Sequence, residues 1–418
     1  MTYTFNSPRR WLPSAINAVG RALRRIGLDP VRLEEDALLS KAVQRTGLDD
    51  FGDDSFREPL RVILASFDRE VPATFVARIF VRDQFLLRLT NRLRIQHTLK
   101  VYPEIAHQSV DRPMFICGLP RTGSTLLHRL LAEDPANRVP RAWEIDNPVP
   151  PPDAVTYKTD PRIRQVERRL AILNFLAPSF RTIHNLSAKS PEECIQLMAN
   201  DFTGIYFLVG LDLPSYRRWF YDQDLTHAYR LHKRQLQLLQ FRYRGTRWVL
   251  KAPQHLTGLQ SLLKVYPDAC VVQLHRDPLK AVPSCVSLIV TMRSAFYDNV
   301  QPNTVGDEWL TDLARSVQRG MQARVCAKAS PACSARFIDL HYRDLVEQPL
   351  LAVRQIYDTF GYELTEETVE RMGAFLSTHP QHQHGKHHYM LEEFGLNASD
   401  VRERFSTYCE HFGVVAEE

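Results

Sequence analysis

The hydrophobic pattern changes character along the chain. Up to about residue 110, apolar positions recur at helical spacing. Ile16, Val19, Leu23 and Ile26 share one face between a start signal at Pro13-Ser14 and a stop at Gly27, and further periodic segments lie near 58–68 and 74–98. From Pro113 onward, short apolar runs take over, each trailed by a helical pattern. Pro113–Cys117, Trp248–Leu250, Cys270–Leu274 and Arg336–Leu340 are the strand candidates, and a helix at about 124–133 follows the first. Strands alternating with helices predict an α/β fold, a parallel sheet with helices on both faces, preceded by an N-terminal helical extension. The expected boundaries are 1–110 for the extension and 111–418 for the α/β domain. Residues 145–245 are helix-rich and aromatic and form an insertion, and the cluster Pro148, Pro150, Pro151 and Pro152 marks an irregular loop within it.

Composition narrows the class. With 44% hydrophobic and 24% charged residues, the 418-residue chain is globular and long enough for one large domain plus an appendage. The 53 basic and 48 acidic residues leave a net charge of +5, too small to argue for nucleic acid but suited to a small anion in one basic cleft. Seven scattered cysteines without a CxxC pair predict neither a disulfide framework nor a zinc site, and point to a reducing, cytoplasmic setting. The sequons at Asn185 and Asn397 are then chance matches. No apolar run reaches the roughly 18 residues of a membrane span, and no apolar signal core follows Arg9 and Arg10. Arg21, Arg24 and Arg25 give the first helix a basic side. It either packs on its own domain or makes a peripheral membrane contact.

Gly118-Leu119-Pro120-Arg121-Thr122-Gly123-Ser124-Thr125 joins the first strand to its helix, where a phosphate-cradling loop belongs. The spacing imitates a Walker A loop and makes the sheet P-loop-like, but Ser124 stands at the lysine position and the cation has moved to Arg121. A phosphate site built from Pro120, Arg121, Thr122, Gly123, Ser124 and Thr125 is expected. A ligand-free glycine turn is the plain alternative.

The run Cys270–Pro278 carries Arg276, with Ser284 eight residues on in a helical stretch. These residues resemble the 3′-phosphate motif of the sulfotransferases that use 3′-phosphoadenosine 5′-phosphosulfate (PAPS), and the loop at 118–125 resembles their 5′-phosphosulfate motif. Leu250-Lys251-Ala252-Pro253 is similar to a Lys-x-Pro segment of the tyrosylprotein and bacterial branches. His384-Gly385-Lys386-His387-His388-Tyr389 with Phe394-Gly395-Leu396 is similar to a C-terminal segment of bacterial members. The resemblance spans roughly 113–410. It implies PAPS as co-substrate, adenosine 3′,5′-bisphosphate as product and no required metal. Arg276 and Ser284 would hold the 3′-phosphate, a surface pair with Asp277 being the plain alternative for Arg276, and Lys386 beside Gly385 is a weaker candidate for the same phosphate, with an ordinary exposed lysine as its alternative. Tyr342 would lie near the nucleotide, with a core position as its alternative. The histidines 379, 382, 384, 387 and 388 lack an orderly ligand partner set, so no metal site is expected.

Sulfonyl transfer needs a base, cations for the sulfonyl and leaving oxygen, and donors at both phosphate ends. Lys251, at a strand C-terminal end, is the expected cation. Two residues compete as base. Glu144 follows the first helix, where the tyrosylprotein branch places a glutamate; its plain alternative is a pair with Arg141. His184 lies 63 residues after Arg121, comparable to the histidine of the cytosolic branch; its alternative is a core position. Glu192 and Glu193, after Ser190-Pro191 at an expected helix start, form a third choice. The acceptor, small or lipid-like, is expected among residues 143–225, with Trp143, Phe175, Phe180, Phe202, Tyr206, Phe207, Tyr216, Trp219 and Phe220, although core packing accounts for most of those rings. A P-loop kinase or NTPase and a catalytically silent nucleotide-binding scaffold are the rival readings. Acceptor identity and oligomeric state are not legible.

Overall fold

The computed structural model describes residues 17–18, 20, 31, 33–176, 187–294, 299–379 and 390–417. Five strands, β1 (Met114–Gly118), β2 (Asn137–Arg138), β3 (Arg247–Lys251), β4 (Cys270–His275) and β5 (Arg336–His341), form one sheet in the order β2-β3-β1-β4-β5. Every pairing is parallel. The four expected strands are present. β2, only two residues long, is too short to leave a periodic trace.

The central strands are apolar on both faces because both faces are covered, the usual state of a parallel sheet. Met114, Ile116, Val249, Val272 and Leu274 pack with Leu127, Leu130 and Leu131 of helix Ser124–Leu131 and with Val353 and Ile356 of helix Pro349–Phe360. Phe115, Cys117, Leu250 and Val271 join the larger cluster on the other side, which takes in Leu236 and Leu239 of helix Thr226–Gln240 and Leu310 and Val317 of helix Pro302–Ala329. From β1 the chain builds β2 and β3 on one side and β4 and β5 on the other. The strand order therefore reverses beside β1, and all five C-terminal ends open onto one rim, where open α/β sheets bind ligands.

The N-terminal region is helical, with helices Glu35–Thr46, Arg57–Glu70 and Phe75–Val101. Phe85, Leu89 and Leu93 of the third belong to the same continuous core as Phe202, Phe207 and Phe115. Its polar residues also face inward. Arg92, 4% exposed, donates to Phe51 O at 2.8 Å and Asp201 Oδ1 at 3.0 Å, while Asn91 donates to Asp146 O at 3.1 Å. Most of the helix expected after Pro13 lies outside the described residues. Asn17, one of its described residues, accepts the Val76 N–H at 3.0 Å. The sequon residue Asn397 caps helix Ala398–Phe412, its side chain accepting the Asp400 N–H at 2.7 Å.

Candidate active site

The loop after β1 is shaped by three left-handed residues. Gly118 has φ 143°, and a Cβ there would stand 2.4 Å from Leu274 O on β4, so only glycine allows the strands to keep their register at the turn. Arg121 follows at φ 70°, an uncommon setting for a side-chain-bearing residue. Gly123, at φ 86°, would put a Cβ 3.0 Å from Leu345 and 3.2 Å from Tyr342. The coiled backbone feeds the first turn of helix Ser124–Leu131, whose early N–H groups have no intrahelical partner. Thr122 is buried and donates its hydroxyl to Leu119 O at 2.8 Å, so that side chain holds the loop's shape. Pro120 and Ser124 are half-buried, and Thr125 is exposed at the helix start.

Arg276 directly follows β4, and Asp277 caps helix Pro278–Arg293 by accepting the Leu279 N–H at 2.9 Å. That helix carries Ser284, whose hydroxyl accepts from Arg121 Nε at 3.1 Å. Arg276 Nη1 donates to Arg121 O at 2.8 Å, and its guanidinium lies 3.8 Å over the Tyr342 ring. The structure thus brings Arg121, Ser284, Arg276 and Tyr342 together from the ends of β1, β4 and β5. Arg276 pairs with Glu417 rather than with Asp277. Both Glu417 carboxylate oxygens lie 3.1 Å from Arg276 Nε, one also accepts from Nη2 at 3.1 Å, and the Glu417 N–H donates to Asp277 Oδ2 at 2.9 Å. A carboxylate on this guanidinium marks it as an anion-receiving group. His275 braces the strand end from behind, through Asp339 Oδ1 at 2.9 Å and Tyr408 at 3.1 Å, and stacks on Phe412.

Lys251 ends β3, in register with Ile116 of β1, and is 3% exposed. Its ammonium pairs with the Glu193 carboxylate. Glu192 and Glu193 do not start a helix, which begins only at Ile195. They lie in an extended segment because Glu192 N–H donates to Pro140 O and Cys194 N–H to Lys251 O, each at 2.9 Å. Glu192 is buried. Its Oε1 accepts the Glu193 N–H at 2.8 Å, and its Oε2 has no hydrogen-bond partner among the described residues. Burial, helped by the neighbouring Glu193 charge, pushes its carboxyl up to about 7.

Glu144, in the short helix Ala142–Asp146, is wholly buried. Its carboxylate pairs with both terminal nitrogens of Arg138, at 3.0 Å for Nη1, and accepts from Arg141 N–H at 2.8 Å and Tyr157 OH at 3.1 Å. The Arg138 guanidinium lies against Tyr157, Tyr243 and Trp248. The partner of Glu144 is therefore Arg138, and Arg141 contributes only its backbone. His184, Gly385 and Lys386 lie outside the described residues. Of the expected acceptor-region rings, Trp143, Phe202, Phe207, Tyr216 and Phe220 are core, while Tyr206 and Trp219 are half-buried. Among the described residues, no group of three or more His, Cys, Asp or Glu could hold a metal ion, and no helix is long and apolar enough to cross a membrane.

Residues 113–366 match the family model described as Sulfotransferase family. The fold is similar to the crystal structure of sulfotransferase STF1 from Mycobacterium tuberculosis H37Rv, with 34% identity and a TM-score of 0.79 over 90% of this chain and 99% of that one. Sulfotransferase STF9 from Mycobacterium avium superposes with a TM-score of 0.82 at 30% identity, over 93% of this chain and 99% of that one. The omega-hydroxy-beta-dihydromenaquinone-9 sulfotransferase Stf3 of Mycobacterium tuberculosis is 27% identical over 321 residues, 72% of this chain and 75% of its own length.

Proposed function

The chain belongs to the sulfotransferase family, and from that premise we propose that it moves a sulfonyl group from PAPS to a hydroxyl, or an amine, of a small or lipid-like acceptor. The observation that carries the donor assignment is the Arg121–Ser284–Arg276–Tyr342 cluster beside the loop, with an anionic group already seated on Arg276. A nucleotide bearing a 3′-phosphate would take the place of that carboxylate, held by Arg276 and Ser284. The loop's backbone N–H groups, with Ser124 and Thr125, would receive the 5′-phosphosulfate. Lys251, on the neighbouring strand end, supplies the cation for charge on the sulfonyl and the departing oxygen. Such a transition state is loose and in line, so fixed cations and positioning do most of the work. Ser124 at the lysine position disfavours an NTPase. The acceptor class follows the name of the Stf3 relative, which acts on a hydroxylated menaquinone. Seven free thiols fit work in a reducing compartment such as the cytoplasm.

Thermal denaturation with added nucleotides tests the donor. Adenosine 3′,5′-bisphosphate should stabilise the protein, by about 2.7 kcal/mol at a hundred times its dissociation constant, and adenosine 5′-phosphate much less. Arg276→Ala should abolish the difference. Equal shifts with both nucleotides, or a shift only with ATP and magnesium, would overturn the proposal.

A further inference from the structure

We infer that Glu193 is the general base of the transfer, held against Lys251 until the acceptor arrives. The inference rests on the sulfotransferase reading above and assigns the proton step within it. Its ground is placement. Lys251 ends the strand next to the phosphate loop, and the Glu193 carboxylate touches its ammonium. A base must come within about 3 Å of the acceptor hydroxyl, which must itself approach the sulfur from the side opposite the leaving oxygen. A carboxylate one contact away from the cation expected at the sulfonyl lies within that reach. An ammonium has three donors, so Lys251 can hold Glu193 and a sulfonyl oxygen together.

The neighbouring carboxyls are committed elsewhere. Glu144 is fully buried, and both of its oxygens are engaged by Arg138, Arg141 N–H and Tyr157. Glu192 is sealed in, only 5% exposed, with its carboxyl aimed into the protein. The Glu193 side chain keeps 16% of its surface open, and its backbone is fixed by the hydrogen bonds of Glu193 N–H to Glu192 and Cys194 N–H to Lys251. In the step itself, the acceptor O–H proton passes to the Glu193 carboxylate as the acceptor oxygen forms its bond to sulfur. The bond from sulfur to the bridging oxygen breaks, and its electron pair leaves on the 5′-phosphate of adenosine 3′,5′-bisphosphate. Glu193 then returns the proton to water.

Phenols of different acidity separate a base from a merely structural partner of Lys251. With sulfur-labelled PAPS at about pH 8, phenol must lose its proton during transfer, whereas p-nitrophenol is already ionised. Glu193→Gln should cut transfer to phenol by about a hundredfold or more. Its transfer to p-nitrophenolate should fall by less than about tenfold, with an unchanged thermal shift on adenosine 3′,5′-bisphosphate. Glu193→Asp, which keeps the charge beside Lys251, guards against loss of fold and should recover part of the phenol activity. Equal losses with both phenols would reduce Glu193 to a positioning residue, and full activity with both would remove it from the reaction. A parent protein that ignores the bisphosphate would instead overturn the donor reading itself.

Discussion

Glu144→Gln should unfold the protein more than it slows it. The substitution leaves Arg138, itself 4% exposed, without its countercharge among three aromatic rings. Breaking one side of a buried pair costs about 3–5 kcal/mol. A denaturant midpoint near that of the parent would contradict this. Glu192 gives the opposite sign. Its folded-state carboxyl sits at about 7 against an ordinary 4.5, because burial disfavours the charge. It costs nothing below about pH 4.5, and the cost grows as the pH rises through 7. Glu192→Gln should therefore gain stability over the parent, by on the order of 2 kcal/mol between pH 5 and pH 8. Paired denaturation curves at the two pH values check it, and a difference independent of pH would refute it. The placement of Arg121, Lys251 and Arg276 at strand ends was legible in the sequence because strand, turn and helix fix their surroundings within a few positions. Arg138 and Glu417 were not. The first sits in a two-residue strand, and the second meets its partner across 141 positions, with nothing local to mark it.

At the scale of elements, a parallel strand buried on both faces writes itself as an apolar run, as β1, β3 and β4 do, whereas β5, an edge strand with only Leu340 buried, shows as a short run ahead of a helical pattern, and the two-residue edge strand β2 leaves no trace. Pro191 misled in the other direction. Proline suits a helix start, yet here it bridges to Arg141, and the chain stays extended until Cys194 has bonded to the end of β3. That contact, invisible in local propensity, is what brings Glu193 to Lys251. The turn leaving β1 offers a sharper test. Gly118→Ala would push a methyl group against the backbone oxygen of Leu274, in a conformation alanine avoids. A loss of about 2 kcal/mol or more is expected in chemical denaturation, with weakened bisphosphate binding, since the β1–β4 pairing carries the loop. Tolerance of the alanine would mean that the loop relaxes freely.

For the whole molecule, the N-terminal helices are part of the core from which the rim is built. Phe85, Leu89 and Leu93 share it with the aromatic residues after β2, and Arg92 anchors Asp201 from inside. A chain beginning at residue 111 should aggregate or expose apolar surface to a hydrophobic dye, and a cooperative unfolding transition from it would show the region to be dispensable. The other end of the described chain has a different reach. After helix Ala398–Phe412 the backbone crosses to Arg276 and lays Glu417 on it. A tethered carboxylate is a resident competitor whose local concentration does not fall on dilution, so a nucleotide bound at Arg276 would see only those molecules whose arm has let go, and its apparent affinity would be scaled by that fraction. Glu417→Gln should tighten adenosine 3′,5′-bisphosphate binding severalfold in calorimetric titration, and an unchanged affinity would leave the arm idle. If the donor binds there, the carboxylate that delays its arrival would also be on hand to re-cover Arg276 once the spent nucleotide leaves, so the same contact would trade tight binding for turnover.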